Sequence, residues 1–321
     1  MVHELVRPTL ARGAAPDTAW AYFDGRFVPI REARISVMTH AFNYGTGVFE
    51  GLRAYWNPTD EQLYALHVRE HFDRFLRSCR VMRISAGRSA EQLVELTLEL
   101  VRRCAYREDC YIRPIAYKSS EVIGVRLHDL ADGLTIFAIP FGEYIATDRG
   151  ISCTISSWRR IDDNAIPARS KITGAYANAA LAKTDAEEAG FDEGIVLTDD
   201  GHVSEGTAAN LFMVRDGRLV TPPGSDNILE GIVRASVLRI ASDEGIPVEI
   251  RRIDRTELYI CDEVFLCGTG VQISSVTSID HRPVGDGRIG PIATRLSRIY
   301  FDAVRGKVPR YRDWLTPVYS R

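Results

Sequence analysis

The chain has 321 residues, 45% hydrophobic and 26% charged, with a formal net charge of -3. That composition is globular, leaves room for two modest cores and argues against a disordered chain. The near-balanced charge gives no electrostatic reason to expect nucleic acid, and no apolar run approaches the length of a membrane span.

Residues 1–17 lack an apolar h-region and read as a loose N-terminal arm, so the chain is expected to stay in the cytosol. Residues 20–28 read as two short strands about an Asp24-Gly25 turn. Next comes HAFNYGTGVFEGLRAY, an aromatic-rich stretch expected to be extended and interrupted by Gly45, Gly47 and Gly51. Residues 62–66 read as a strand. Residues 69–82 read as an amphipathic helix with Phe72, Phe75 and Leu76 inward. Residues 90–104 form a second helix, with Leu93, Leu96, Leu100 and Val101 at helical spacing. Strands over 111–117 and 134–140 follow, and the polar, glycine-bearing segment 141–149 reads as a linker.

The second half opens with a β-rich segment, 151–158, and a helix over 175–189 that Gly190 ends. Two hairpins turn at Asp199-Asp200-Gly201 and at Asp216-Gly217. A helix over 232–244 stops at Gly245, a buried-type strand over 263–267 runs into Gly268-Thr269-Gly270, and a last helix spans 291–304. Strands and helices alternate too irregularly for a simple doubly wound sheet, so the fold class is mixed α/β (α+β). The expected division is an arm (1–17), a small α/β domain (18–140), the linker (141–149) and a larger α/β domain (150–321).

The six cysteines form no CxxC pair and mostly sit in apolar stretches, as buried reduced thiols do. His67 and His71 stand one helical turn apart, but no carboxylate-rich partner accompanies them and no metal site is expected. Lysine is scarce: only Lys118, Lys171, Lys183 and Lys307. Lys183, beside Asp185 and Glu187, reads as part of a solvated helix face, and Lys118 as a residue trailing a strand.

Lys171 lies among small residues just before a helix, where burial and nearby cations would leave a nucleophilic amine. Taken alone, a loop lysine is ordinarily a solvated one. Glu205, in VSEGTAANLF, is an acid among small residues at a strand end; alone it reads first as a surface or capping residue. Glu230-Gly231-Ile232-Val233-Arg234 opens a helix whose free N–H groups suit a phosphate, and Gly268-Thr269-Gly270 permits close backbone approach to an anion. Either could equally be a plain turn. Neither has the spacing of a dinucleotide fingerprint.

In this order and company the segments FNYGTGVFEGLRAY, HVREHFDRF, YIRPIAY, SKITGAYANAALAKTDAEEAGFDEGIVLTDDGHVSEGTAANLF, ILEGIVR and DEVFLCGTG resemble the class IV (fold type IV) pyridoxal-phosphate-dependent aminotransferases, most closely the branched-chain amino acid aminotransferases. The resemblance runs from about Trp20 to the C-terminal helix. It implies a two-domain fold with pyridoxal 5'-phosphate between the domains and Lys171 joined to it as a Schiff base, later shuttling the substrate Cα proton. It puts Tyr176 on the ring hydroxyl, Glu205 on the ring nitrogen and Leu229 against the ring. Arg74 and the backbone at Ile232, Val233 and Thr269 fall on the phosphate. Many relatives have threonine where this chain has Val233, which removes a hydroxyl but keeps the N–H.

For the substrate, the resemblance implies Tyr44, Phe49, Gly51, Tyr111, Arg113, Phe141, Tyr144, Thr269 and Gly270. Tyr111 and the Thr269–Gly270 backbone would hold the α-carboxylate, and Arg113 the side-chain carboxylate of glutamate. Phe141 stands where some relatives have tryptophan; plain core packing is an equal reading for it. The implied reaction takes leucine, isoleucine or valine with 2-oxoglutarate to the 2-oxo acid and glutamate, by a ping-pong route. D-amino acid transaminases, R-selective amine transaminases and aminodeoxychorismate lyase share the cofactor residues and are the alternatives, with a non-catalytic cofactor-binding protein behind them. Self-association as a homodimer or higher is implied, with Tyr44 and residues 123–126 lent to the neighbouring subunit's site.

Overall fold

The computed structural model describes residue 16 and residues 18–142 and 149–319. Most of the expected arm and linker, and Tyr144, lie outside the described residues. The first half contains β1 (Trp20–Phe23), β2 (Arg26–Pro29), α1 (His40–Tyr44), β3 (Gly47–Phe49), β4 (Leu52–Asn57), β5 (Gln62–Leu66), α2 (Val68–Val81), α3 (Ala90–Cys104), β6 (Cys110–Lys118) and β7 (Asp132–Pro140). The second half contains β8 (Ile151–Arg159), α4 (Tyr176–Glu188), β9 (Glu193–Leu197), β10 (Val203–Gly206), β11 (Asn210–Arg215), β12 (Arg218–Thr221), α5 (Ile232–Asp243), β13 (Val248–Ile250), β14 (Glu263–Gly268), β15 (Gln272–Ile279), β16 (Arg282–Pro283), α6 (Pro291–Val304) and β17 (Leu315–Pro317).

Among the described residues these strands form two sheets. The first runs β17-β5-β4-β6-β7-β1-β2, with β3 on β6; the second runs β10-β9-β8-β15-β14-β11-β12-β13, with β16 on β15. The expected hairpins are present, and their Asp-Gly turns at 24–25 and 216–217 take the left-handed backbone such tight turns require. The mixed α/β class is as expected. Residues 40–44 correct the extended reading of HAFNYGTG: they form a helical turn, with Phe42 and Asn43 N–H both donating to the Thr39 carbonyl and Gly45 closing it in αL.

Helices α2 and α3 lie on one face of the first sheet, where Phe72, Phe75, Leu93 and Leu100 meet Leu52, Leu63, Ile112 and Ile136. β6 alternates buried and half-buried positions along its whole length. The two-residue period of a strand sends Ile112 and Pro114 toward the helices and Tyr111, Arg113 and Ile115 to the opposite face. That second face looks across a cavity at the second sheet. A second core spans the halves, packing Tyr55, Tyr64 and Leu66 of the first sheet against Phe265, Leu296 and Tyr300 of the second half. β17 then returns the end of the chain to pair with β5. The sequence reading contains neither this return nor β15.

Candidate active site

A cavity of about 660 Å³ lies between the sheets, lined by residues from both halves. Lys171 reaches it from the segment just before α4. Its carbonyl accepts the Phe49 N–H at 3.0 Å, and the next residue, Ile172, bridges to Val48. β3 therefore fixes the lysine backbone, and the side chain extends between Phe49 and Tyr176. Lys171 Nζ lies 2.6 Å from the Tyr176 hydroxyl and 5.0 Å from the Phe49 ring centroid.

Glu205, on β10, is buried at the other end of the same cavity. Arg160 approaches its Oε1 at 3.0 Å, Asn210 Nδ2 donates to its Oε2 at 2.8 Å, and the Leu229 N–H donates to the same oxygen at 3.2 Å. Burial pushes the Glu205 carboxyl up, against the opposing pull of Arg160 and the Leu229 N–H. Asn210 also donates to the Leu229 carbonyl at 2.8 Å, so one amide holds both Glu205 and the turn beside it. A side chain on Gly231 would strike that amide: a Cβ there would sit 1.9 Å from Asn210 Oδ1.

Gly231 is also the N-cap of α5, and no side chain caps that helix. Gly231, Ile232 and Val233 line the cavity, so the first-turn N–H groups of α5 are oriented for an anion there. Arg74, buried on α2, faces the same space. Its Nε donates to Glu50 Oε1 at 2.6 Å and its Nη2 to Glu50 Oε2 at 2.8 Å, while Nη1 donates to the Glu230 carbonyl at 2.8 Å. His71 Nδ1 meets the same Glu50 Oε2 at 2.8 Å. Burial alone would raise the Glu50 carboxyl, but Arg74 and His71 hold it well below the usual carboxylate range. Burial pushes His71 down, against the pull of Glu50, and the nearby positive charge of Arg74 adds to the lowering.

The substrate-facing wall comes from the first sheet. Arg113 donates twice to the Tyr111 hydroxyl, at 2.6 Å through Nη2 and 3.1 Å through Nε, and stacks 4.3 Å over the Phe49 ring. Tyr111 packs against Phe141 with ring centroids 5.4 Å apart. A Cβ on Gly51 would lie 2.2 Å from the Tyr111 hydroxyl, so only glycine lets that ring stand where it does. Thr269 and Gly270 close the far rim after β14, with Cys267 just inside it, its thiol raised by burial.

The cavity thus gathers Lys171, Tyr176, Glu205, Arg74, Leu229, Ile232, Val233, Thr269, Gly270, Phe49, Gly51, Tyr111, Arg113 and Phe141. Tyr44 is not among its lining residues; its hydroxyl accepts the Gly124 N–H at 3.2 Å on an outer face. Glu50, Arg160, Asn210 and the buried role of His71 escaped the sequence reading. Glu50 had one legible signal: a lone acid between apolar Phe49 and Gly51 in a buried-type strand demands a partner. Lys118 differs from expectation, and Lys183, although it pairs with Glu187 on its own helix face, differs in part. Lys118 is buried against Asp132 at 2.8 Å, and Lys183 reaches the buried Glu193 at 3.3 Å.

A lysine amine, a buried acid and an anion cradle in one cleft between an antiparallel and a mixed sheet define an enzyme class. The chain belongs to the class IV aminotransferases, whose family model (amino-transferase class IV) matches residues 47–279. Its full-length likeness is narrower. It is 48% identical over 303 residues to a probable branched-chain-amino-acid aminotransferase of Aquifex aeolicus, covering 94% of this chain and 97% of that one. The branched-chain aminotransferase of Thermoproteus uzoniensis, solved with norvaline, superposes with a TM-score of 0.90 at 42% identity, over 94% of this chain and 99% of that one. The branched-chain amino acid aminotransferase of Thermobaculum terrenum, solved in its PLP-form, also gives 0.90, at 34% identity over 95% of this chain and 100% of that one.

Proposed function

We propose that this chain is a pyridoxal-phosphate-dependent aminotransferase that passes the amino group of leucine, isoleucine or valine to 2-oxoglutarate, giving the 2-oxo acid and glutamate. The observation that carries this reading is one cavity lined by both the Lys171–Tyr176 pair and, on an aromatic wall, the Tyr111–Arg113 pair. Full-length likeness to branched-chain aminotransferases supports it.

The residues present fit the cofactor. Three of the five N–H donors of Arg74 are engaged by Glu50 and Glu230, which leaves one on each Nη for a phosphate. The uncapped start of α5 supplies further donors, with Ile232, Val233 and Thr269 as the assigned backbone contacts. The Val233 side chain offers no hydroxyl, so the grip at that position is through its N–H alone. When bound, pyridoxal phosphate supplies the electron sink for the Cα–H bond and carries the amino group between the two half-reactions.

Lys171 Nζ is the assigned point of covalent attachment and then the base that moves the proton from substrate Cα. Tyr176 holds the ring hydroxyl, Leu229 packs on the ring, and Glu205 accepts from the protonated ring nitrogen. Arg160 and the Leu229 N–H oppose the rise that burial causes, and the Asn210 amide donates to Oε2, so all three favour Glu205 as an acceptor. Tyr111, Gly51 and the Thr269–Gly270 backbone receive the α-carboxylate. Because Arg113 donates to the Tyr111 oxygen, the tyrosine O–H proton is free to turn to that carboxylate. Phe49, Phe141 and Ile139 wrap an aliphatic side chain, and Arg113 turns to the second carboxylate when glutamate occupies the same pocket.

We propose two domains, 18–140 and 150–321, joined by 141–149, on the strength of the two sheets. We also propose a homodimer at least: Ile35, Val37, Phe42, Ile123 and Val125 are exposed apolar residues beside Tyr44, a patch suited to a second copy. Tyr44 and residues 123–126 would then be lent to the partner's cavity. The cytosol is the proposed compartment, in keeping with six free cysteines. The deciding experiment is a set of half-reaction spectra with L-leucine, L-glutamate, D-alanine and an R amine. Conversion of the cofactor to its amino form by the first two is the expected result; no turnover of L-leucine with 2-oxoglutarate ends the reading.

A further inference from the structure

The Glu50 carboxylate lies wholly inside the protein, yet it faces no solvent, substrate or backbone cap that would explain a charge there. Its backbone N–H is tied to the Pro114 carbonyl at 3.0 Å, which anchors it between the cavity-lining residues Phe49 and Gly51. Both its oxygens are engaged. Oε1 takes Arg74 Nε, and Oε2 takes Arg74 Nη2, His71 Nδ1 and, at 3.3 Å, the Gly51 N–H. His71 is therefore the Nδ1–H tautomer, donating to a carboxylate that already has its countercharge.

We propose that Glu50, braced by His71, is the positioning residue that aims Arg74 at the cofactor phosphate; the inference rests on the cofactor reading above. The fork-to-fork pairing fixes the guanidinium plane, and the Glu230 carbonyl fixes its rotation about that plane, so the two spare N–H groups have one direction left to point. The arrangement has an electrostatic consequence that separates positioning from attraction. Glu50 cancels the charge of Arg74, so an anion in the cradle meets an aimed pair of donors and the N–H groups of α5 rather than a bare cation. If Arg74 worked chiefly as a positive charge, removing the Glu50 charge would tighten phosphate binding. If aim is what matters, the same change loosens it, because Gln at this position turns an amide N–H₂ toward donors and offers one oxygen where two are needed.

The test is equilibrium dialysis of the holoenzyme and its variants against stepped concentrations of pyridoxal 5'-phosphate and, separately, of pyridoxal, which lacks the phosphate. Glu50→Gln is expected to raise Kd for pyridoxal 5'-phosphate about tenfold or more, the scale of breaking one member of a buried charge pair. Binding of pyridoxal should not change. His71→Gln should move the phosphate-bearing ligand in the same direction by less. Adding Glu50→Gln to Arg74→Met should cost no further affinity, since the carboxylate acts through the arginine; this double variant also leaves no lone buried charge should Glu50→Gln alone fold poorly. Tighter or unaltered pyridoxal 5'-phosphate binding by Glu50→Gln, or an equal loss for both ligands, overturns the proposal. The cofactor reading has its own marker: it fails if wild type holds pyridoxal 5'-phosphate no better than pyridoxal and Arg74→Met changes nothing.

Discussion

The two walls of the central cavity are held in different ways. On the cofactor side the buried Arg74 and Glu205 are each locked by several directional partners: Arg74 by Glu50 and the Glu230 carbonyl, Glu205 by Arg160, Asn210 and the Leu229 N–H. On the substrate side Tyr111 and Arg113 hold one another, half-buried, on a face of aromatic and aliphatic residues. The first wall therefore grips one invariant molecule by directional bonds. The second must accept an aliphatic side chain and a carboxylate in turn, so it combines apolar area with one cation that can change partners. Changes on the first wall should damage all substrates alike, and changes on the second should separate them.

The largest effect is expected at Lys171. Lys171→Ala should lower kcat by on the order of 10³-fold or more for every amino donor, because nucleophile and proton carrier are lost together. It should also abolish borohydride fixation of the cofactor, and a fully active Lys171→Ala protein would refute the assignment. Glu205→Gln comes next. A loss of on the order of 10²-fold, equal for leucine and glutamate, is expected when one preorganised electrostatic partner is removed. Steady-state kinetics with both donors checks the equality.

Arg113→Ala should break the symmetry between donors. KM for glutamate and 2-oxoglutarate should rise about tenfold or more, the scale of a lost hydrogen bond to a charged group, while leucine suffers less. Equal losses for both would return Arg113 to a structural role beneath Tyr111. The smallest effect concerns stability. His71 is held below its ordinary value of 6.5 and Glu50 below 4.5, so the unfolded chain binds these protons more readily than the folded one. Their contributions are present above those values and are lost as pH falls, first through the window below 6.5 and then below 4.5. Thermal melts across that range should show Tm falling with acidification, and His71→Gln should flatten the upper window most and, because His71 helps hold Glu50 down, the lower one in part.

Comparing the walls also shows what a sequence can carry. Read alone, Lys171 is an ordinary loop lysine and Glu205 a surface or capping acid; it was the resemblance of the surrounding motifs to a known family that assigned them, with Tyr176, Tyr111 and Arg113, to the site. The partners that make these groups work were not legible. Glu50 meets Arg74 across a strand–helix junction, Arg160 meets Glu205 across a loop, and β17 pairs with β5 from the far end of the chain.

Motif resemblance named the reactive groups; the amino-acid order by itself determined helices α2 to α6, most strands and the turns. These follow from short-range sterics, side-chain period and backbone propensity. The tertiary structure alone decided which carboxylate neutralises which arginine, and that residues 40–44 coil rather than extend. It also decided that Lys118 buries its charge against Asp132. Periodicity says which face of an element turns inward, but a buried charge is tolerated only where a distant segment brings its partner, and that meeting is a property of the assembled fold.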